Sequence, residues 1–214
     1  MLSDQTEEKK LLENSQSLNR AGRIGGLFFF TGIAQFMIAL IIAESLYAGY
    51  SVGQQYQSDL GNWNLAGNNA AIYNVSVLLL GIFLIAGAYF LQRAIKNKRI
   101  PIFLAIAGVS LAITAVVAPN INSTVEGLFS FIAFVAVIAC ALRAYKLLNS
   151  PFSYVSVILG LVSLIALVLF VLGQSDSIFN LGIGKGGMES LAIYPLLLWA
   201  LGLGAYLMGN IAEN

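Results

Sequence analysis

Long apolar runs fill most of this chain, and short polar stretches separate them. The run from residue 25 to residue 43 has no charged side chain over its 19 positions. An α-helix rises about 1.5 Å per residue and the hydrocarbon core of a bilayer is roughly 30 Å thick, so such a run is long enough to cross it. The pattern predicts six spans, near residues 24–46, 71–91, 101–117, 128–142, 153–172 and 191–208.

The composition agrees with an all-α integral membrane protein. Of the 214 residues, 58% are hydrophobic and 10% are charged, whereas a soluble globular protein has about 25% charged residues. No linker divides the chain, so residues 24–214 are predicted to form one bundle of six transmembrane helices. Residues 1–23 are predicted to form a polar cytoplasmic tail, because this segment contains four acids and lacks the apolar centre of a secretory signal peptide.

The basic residues predict the orientation of the bundle. Ten of the eleven precede the first span, or lie between the second and third or the fourth and fifth: Lys9, Lys10, Arg20, Arg23, Arg93, Lys96, Lys98, Arg99, Arg143 and Lys146. With six spans, these three segments lie on one side of the membrane. The positive-inside rule then predicts a multi-pass protein of the cell membrane with both termini in the cytoplasm. The basic segments also suit anionic lipid headgroups, so the lipid bilayer is the predicted partner and no nucleic acid is expected.

Five acids fall on the opposite, outer side, where the only basic residue is Lys185. Ionisable groups at the membrane boundary are candidates for function. The candidate binding or structural cluster consists of the outer acids other than Asp176, together with polar residues at the outer ends of spans two and six: Glu44, Asp59, Asn74, Glu126, Glu189 and Tyr194.

Each acid in this cluster also has a purely structural interpretation. Glu44 would end the first span in the headgroup layer, and Asp59 lies in a Ser-Asp-Leu-Gly sequence typical of a capped turn. Ser123 and Glu126 have the spacing of a capping box, and Glu189 would open the last span, where a negative charge suits the helix dipole. Asn74 needs a partner if it is buried, and Asp59 is a candidate for that partner.

Three further features concern the last two spans. Pro195 is predicted to kink the sixth span and free a backbone carbonyl. Trp199 lies too deep for the interfacial aromatic belt, which predicts a packed ring whose N–H finds a partner. The glycine-rich segment 182–187 lacks the spacing of a phosphate-binding loop and is predicted to be a flexible turn.

The absence of histidine and the single cysteine exclude several chemistries. Histidine-ligated haem, the usual zinc hydrolase sites and Ser-His-Asp triads all need an imidazole, so no metal site or cofactor is predicted. Cys140 continues a line of small residues with Ala136 and Ala144, which predicts an inert thiol at a helix contact. Asn122 begins an Asn-Ser-Thr sequon on the outer side, and is a possible glycosylation site in a host with that machinery.

Two polar stretches resemble a known family. One is the tyrosine at position 50 followed by the Ser-Asp-Leu-Gly sequence at 58–61 and the Tyr-Asn pair at 73–74. The other is the Gly-Gly-Met-Glu-Ser sequence at 186–190, followed by Tyr194, Pro195 and Trp199. Together they resemble the uncharacterised six-span prokaryotic membrane proteins catalogued as domain of unknown function 998. Ser190 stands where that family usually has arginine, and Glu126 stands near a position where relatives often have histidine. The resemblance implies six spans and no established activity.

Without a recognisable catalytic motif, the sequence favours a role other than catalysis. The first hypothesis is an accessory or structural subunit of a larger membrane assembly, with other membrane subunits as partners. The second is a binder of lipid or another amphiphile in an acidic pocket at the outer leaflet. A membrane enzyme that uses paired carboxylates, such as Asp59 with Glu189, is the third. An ion pathway is the weakest hypothesis, because no acid or base lies at mid-membrane.

Overall fold

A computed structural model describes the backbone of residues 2–146, 148–173 and 178–210, and it is all-helical there. Asp176 lies outside the described residues. The α-helices are α1 (Leu2–Leu46), α2 (Trp63–Ala66), α3 (Ala70–Ala94), α4 (Arg99–Val116), α5 (Pro119–Ala144), α6 (Phe152–Leu172) and α7 (Gly184–Asn210). Short 3-10 helices lie at Gln57–Gly61, Gly67–Asn69 and Ile178–Asn180.

Six helical segments in the described chain are long and apolar enough to cross a membrane, as the sequence predicts. They are Asn19–Leu46, Trp63–Ala94, Arg99–Val116, Pro119–Ala144, Phe152–Leu172 and Gly184–Gly209. The backbone of the predicted polar tail is helical from residue 2 and continues directly into the first span.

Two of these helices begin well before the predicted spans. Helix α5 begins at Pro119 rather than near residue 128, because the proline occupies the first helical turn, where it loses no hydrogen bond. Helix α7 begins at Gly184 rather than near residue 191. Glu126 and Glu189 therefore lie inside helices and not in the segments before them.

The long helices form a closed ring. Helix α1 packs against α3 and α7, and the chain runs around the ring through α3–α4, α4–α5, α5–α6 and α6–α7 contacts. The ring has an acidic end, formed by the loops after α1, α4 and α6, and a basic end, formed by the loops after α3 and α5. Hydrogen bonds tie the loops at each end to neighbouring helices: Trp63 N–H donates to Asn120 at the acidic end, and Asn149 N–H donates to Tyr206 at the basic end.

Pairs of glycines allow the closest helix contacts. A Cβ atom added to Gly26 of α1 would lie 2.7 Å from the carbonyl oxygen of Gly204 in α7. A Cβ added to Gly81 of α3 would lie 2.6 Å from the carbonyl oxygen of Gly108 in α4. Side chains this small let backbones approach closely, which replaces the hydrophobic driving force that lipid removes.

Two serines of α6 bind α7. The Nε1–H of the fully buried Trp199 donates to Ser156 Oγ over 3.1 Å, which confirms the packed ring and the partner for its N–H. Ser163 Oγ donates to the carbonyl oxygen of Ala192, in the turn that precedes Pro195. Ser163 of α6 therefore supplies a hydrogen bond close to Pro195, which lacks the N–H needed for the backbone hydrogen bond of the helix.

The line of small residues in α5 is buried as predicted. Ala136, Cys140 and Ala144 are all at most 5% exposed. The Cys140 Sγ lies 3.6 Å from the carbonyl oxygen of Ile100, at the start of α4. The thiol is thus part of the contact between α4 and α5.

Candidate functional site

The 3-10 helix Gln57–Gly61, called the roof turn below, lies across the acidic end of the bundle. Asp59 Oδ2 accepts a hydrogen bond from the Tyr56 N–H over 2.9 Å, so this carboxylate caps its own turn. Asn74 Nδ2 of α3 donates to the carbonyl oxygen of Gly61 over 2.9 Å. The buried amide therefore has a backbone partner, and the expectation that Asp59 would supply it is wrong. Gly61 allows this contact, because a Cβ there would lie 2.5 Å from Asn74 Oδ1.

Glu189 anchors the roof turn to α7. Its Oε2 accepts from the Gln57 N–H over 2.5 Å, and the Ser58 N–H also donates to the carboxylate. Gln57 Nε2 donates to Ser190 Oγ over 3.1 Å. Gln57 is fully buried and Glu189 is 9% exposed. The helix-dipole interpretation expected Glu189 at the start of its helix. In the structure, Glu189 lies inside α7 and binds the roof turn.

The sequence did not single out Gln57 or Ser190. Gln57 is one of three glutamines between positions 54 and 57, and nothing in their spacing distinguishes the one that is buried. Ser190 differs from the arginine usual in the family, but nothing in the sequence indicated a contact for it. In the structure, its hydroxyl accepts from the Gln57 side chain, which identifies it as part of the roof contact.

In place of the predicted flexible turn, the glycine-rich segment forms the first turn of α7 from Gly184 onwards. Side chains at Gly184 or Gly186 would overlap the backbone carbonyls of Gly53 and Gln55. Gly184 also has a φ of +77°, which favours glycine. Glycine is thus required here because the loop after α1 lies directly on the backbone of α7.

Lys185 is engaged by an aromatic ring. Its Nζ lies 4.7 Å from the centroid of the Tyr56 ring, which in turn packs edge-on against Phe170 at 5.8 Å. Burial raises the pKa of the Tyr56 hydroxyl, and the nearby carboxylates of Glu189 and Asp59 raise it further. The basic residue at this end therefore stabilises the loop through a cation–π contact.

Tyr50 lies where several candidate residues converge. Burial raises the pKa of its hydroxyl, and the carboxylates of Glu44, Glu189 and Asp59 and the Tyr194 hydroxyl raise it further. In the part of the chain that the structure describes, neither the Tyr50 hydroxyl nor Glu44 Oε1 has a hydrogen-bond partner. The sequence singled out Tyr50 only as part of the family motif, whereas in the structure its hydroxyl lies near three of the acids.

Glu126 does not form the predicted capping box with Ser123. Its Oε1 accepts from Ser130 Oγ, one turn further along α5, over 2.9 Å. Asn122 interrupts α5 and caps the part of the helix that follows it: its backbone is non-helical, with φ −158° and ψ 96°, and its Oδ1 accepts from the Val125 N–H over 3.1 Å. The side chain of the predicted glycosylation site therefore has a structural role, and glycosylation itself stays a prediction.

A cavity of about 120 Å³ lies inside the ring, beneath the roof turn. Helices α1, α3, α4, α5 and α7 line it, and most of the lining is apolar. Along α7 it extends from Glu189 to Ala200, which is roughly 16 Å at the helical rise. Its polar side chains lie towards the roof turn: Ser58, Tyr73, Asn74, Thr114, Glu126, Ser130 and Glu189.

The predicted cluster is thus divided between two places. Glu126, Glu189 and Asn74 line the cavity. Glu44, Asp59 and Tyr194 lie at the same end of the bundle, outside the described cavity lining. The carboxylates of Glu126 and Asp59 are close enough to interact electrostatically with Glu189. Among the described residues, no three histidine, cysteine, aspartate or glutamate side chains are grouped to hold a metal ion.

A comparison with known proteins identifies the family but no activity. No curated protein and no solved structure matches the chain. The family model described as protein of unknown function DUF998 matches residues 30–206, a stretch that runs from the middle of α1 to the last turns of α7. That stretch contains the roof turn, both carboxylates of the cavity and the Trp199 contact. The chain therefore belongs to the DUF998 family, as its two polar stretches indicated.

Proposed function

We propose that this membrane protein binds a small amphiphilic molecule inside its helix ring, with the polar head of the ligand beneath the roof turn. The observation that carries this proposal is the cavity, which is apolar along most of its length and has two carboxyl side chains at one end. Ligand pockets in proteins typically combine apolar walls with a few convergent polar groups.

The size of the cavity sets the class of ligand. An engineered apolar cavity of roughly 150 Å³ binds benzene, so a space of about 120 Å³ suits a slender apolar group. A whole phospholipid with two acyl chains is too large. A molecule with one narrow chain matches a cavity that is long in the direction of the helices.

The charge pattern supports an orientation for this site. Ten basic residues flank the basic end, so the positive-inside rule places that end and both termini in the cytoplasm. The roof turn and the polar end of the cavity would then face the outer side of a cell membrane. A ligand would reach its site from the outer leaflet or the external medium.

The other hypotheses have less support. An accessory role in a larger assembly, with other subunits as partners, stays a prediction, because no feature of the described residues favours a particular partner. The paired-carboxylate enzyme loses its main candidate pair, because Asp59 accepts from Tyr56 and Glu189 accepts from the roof turn. Both carboxylates therefore hold the roof turn through hydrogen bonds.

Two valines of α5 provide a matched test. Val137 lines the cavity, whereas Val135, on the same helix, is 44% exposed on the outside of the bundle. Val137→Phe would fill part of the cavity, and Val135→Phe would add the same atoms on the outer surface. Native mass spectrometry after mild extraction should show a bound small molecule on the wild type and on V135F, and little on V137F. A wild type without bound mass, or equal occupancy in the two variants, would contradict the proposal.

A further inference from the structure

We infer that the amphiphile is a protonated amine, whose ammonium group lies between Glu126 and Glu189 at the polar end of the cavity. The inference rests on the proposed function, because it names the head group of the same ligand. Three observations on the described residues carry it.

The first observation is the charge of the cavity lining. Glu126 and Glu189 both contribute carboxyl groups to it, and no lysine or arginine is among the lining residues of the described chain. Glu189 is 9% exposed, and a charge that buried is costly unless a partner compensates it. A cationic ligand supplies that partner, whereas a carboxylate or phosphate head would add a further negative charge.

The second observation is that the basic residue at this end is occupied elsewhere. The Lys185 ammonium lies over the Tyr56 ring, which is not part of the cavity lining. Lys185 is therefore engaged outside the cavity, and the two carboxylates that line it have no basic residue of the lining to pair with.

The third observation is the state of the Glu126 side chain. Its Oε1 accepts from Ser130, and no other hydrogen bond to this carboxylate is formed with the described residues around it. Glu126 can therefore accept from a ligand without losing a contact that holds the fold. Glu189, in contrast, supports the roof turn.

Three probes with the same chain test the head group. Butylammonium, butanol and butyrate share an apolar chain short enough for the cavity and differ in the charge at its end. Their binding to the full-length protein in lipid nanodiscs can be measured by isothermal titration calorimetry, with V137F as the blank for partition into the lipid. We expect butylammonium to bind most tightly, because a hydrogen bond to a charged group is worth roughly tenfold or more in affinity. This comparison uses the wild type and does not depend on a variant that folds poorly.

A pair of variants then locates the ammonium group. Glu126→Gln keeps an oxygen that can accept from Ser130 and removes the charge, and it should weaken the binding of butylammonium roughly tenfold while leaving that of butanol unchanged. Glu44→Gln removes a carboxylate at the same end that does not line the cavity, and it should leave both probes close to the wild type.

The outcomes separate the two proposals. Equal affinity for the amine and the alcohol, tighter binding of butyrate, or equal losses in E126Q and E44Q would overturn the ammonium site. If none of the probes bound the wild type more tightly than V137F, the proposed function itself would fail. Selective loss of amine binding in E126Q would establish the site.

Discussion

The Gln57 N–H donates to Glu189 Oε2, and 132 positions of sequence separate the two residues. This bond joins the loop that follows the first long helix to the last helix of the ring. The same carboxylate lines the cavity, so the residue that holds the roof turn also faces the proposed ligand. Glu189 therefore takes part both in closing the bundle and in lining its interior.

Glu189→Ala should open the roof turn. The substitution leaves the N–H groups of Gln57 and Ser58 without their acceptor, at a cost of roughly 1–3 kcal/mol for a buried donor. Hydrogen–deuterium exchange of these two amides should become faster in E189A than in the wild type. Glu189→Gln keeps an acceptor oxygen and should stay closer to the wild type. Unchanged exchange in E189A would show that the carboxylate does not hold the turn.

Gly186→Ala should destabilise the protein. The added methyl group would overlap the carbonyl oxygen of Gln55, and excess volume in a packed site costs roughly 1–3 kcal/mol. Gly127→Ala is the matched control, because a Cβ at this helical position meets no neighbouring atom within 4 Å. Thermal unfolding in detergent should give a lower Tm for G186A and a similar or higher Tm for G127A. The same Tm for both variants would contradict the close contact between the loop and α7.

The Trp199–Ser156 hydrogen bond should show as an energetic coupling between α6 and α7. Interhelical hydrogen bonds in membrane proteins contribute about 0.6 kcal/mol on average in double-mutant cycles. Trp199→Phe, Ser156→Ala and the double variant form such a cycle, with the free energy of unfolding as the measurement. We expect the double variant to lose less stability than the sum of the single losses. Strict additivity would mean that the bond contributes nothing to stability.

Exposed positions at the two ends can report the orientation of the bundle. Cys140 is fully buried, so it should give little background with a thiol reagent. Asn68 at the acidic end and Lys96 at the basic end are exposed. In intact cells, a membrane-impermeant maleimide should label Asn68→Cys directly and Lys96→Cys only after permeabilisation. The reverse pattern would place the acidic end in the cytoplasm.

Hydropathy predicted the number of long helices, because a span needs little more than length and the absence of charge. It misplaced the start of α5, since Asn120, Asn122 and Glu126 resemble a loop when their partners are unknown. In the structure, Asn120 accepts from Trp63, Asn122 caps the helix, and Glu126 lines the cavity. Polar residues near a span end therefore belonged to the helix that they had seemed to precede.

The sequence could not predict, for a different reason, that two of the acids face the same cavity. Helices that are apolar on all sides have no amphipathic face to fix their rotation, so spacing alone could not show that Glu126 and Glu189 face the same interior. The partner of Glu189 is a backbone N–H, which any residue type at position 57 other than proline would offer. Contacts of this kind leave no signature in the choice of amino acid.

The contact between α1 and α7 has a consequence for biosynthesis. The loop after α1 is synthesised early. The residues of α7 that it contacts, Gly184, Gly186 and Glu189, are synthesised last. Until α7 has been made, the ring is open and the roof turn lacks its contacts with Glu189 and Ser190, although Asn74 of α3 can already bind Gly61. A chain truncated before α7 would therefore leave the loop after α1 without the helix on which it packs.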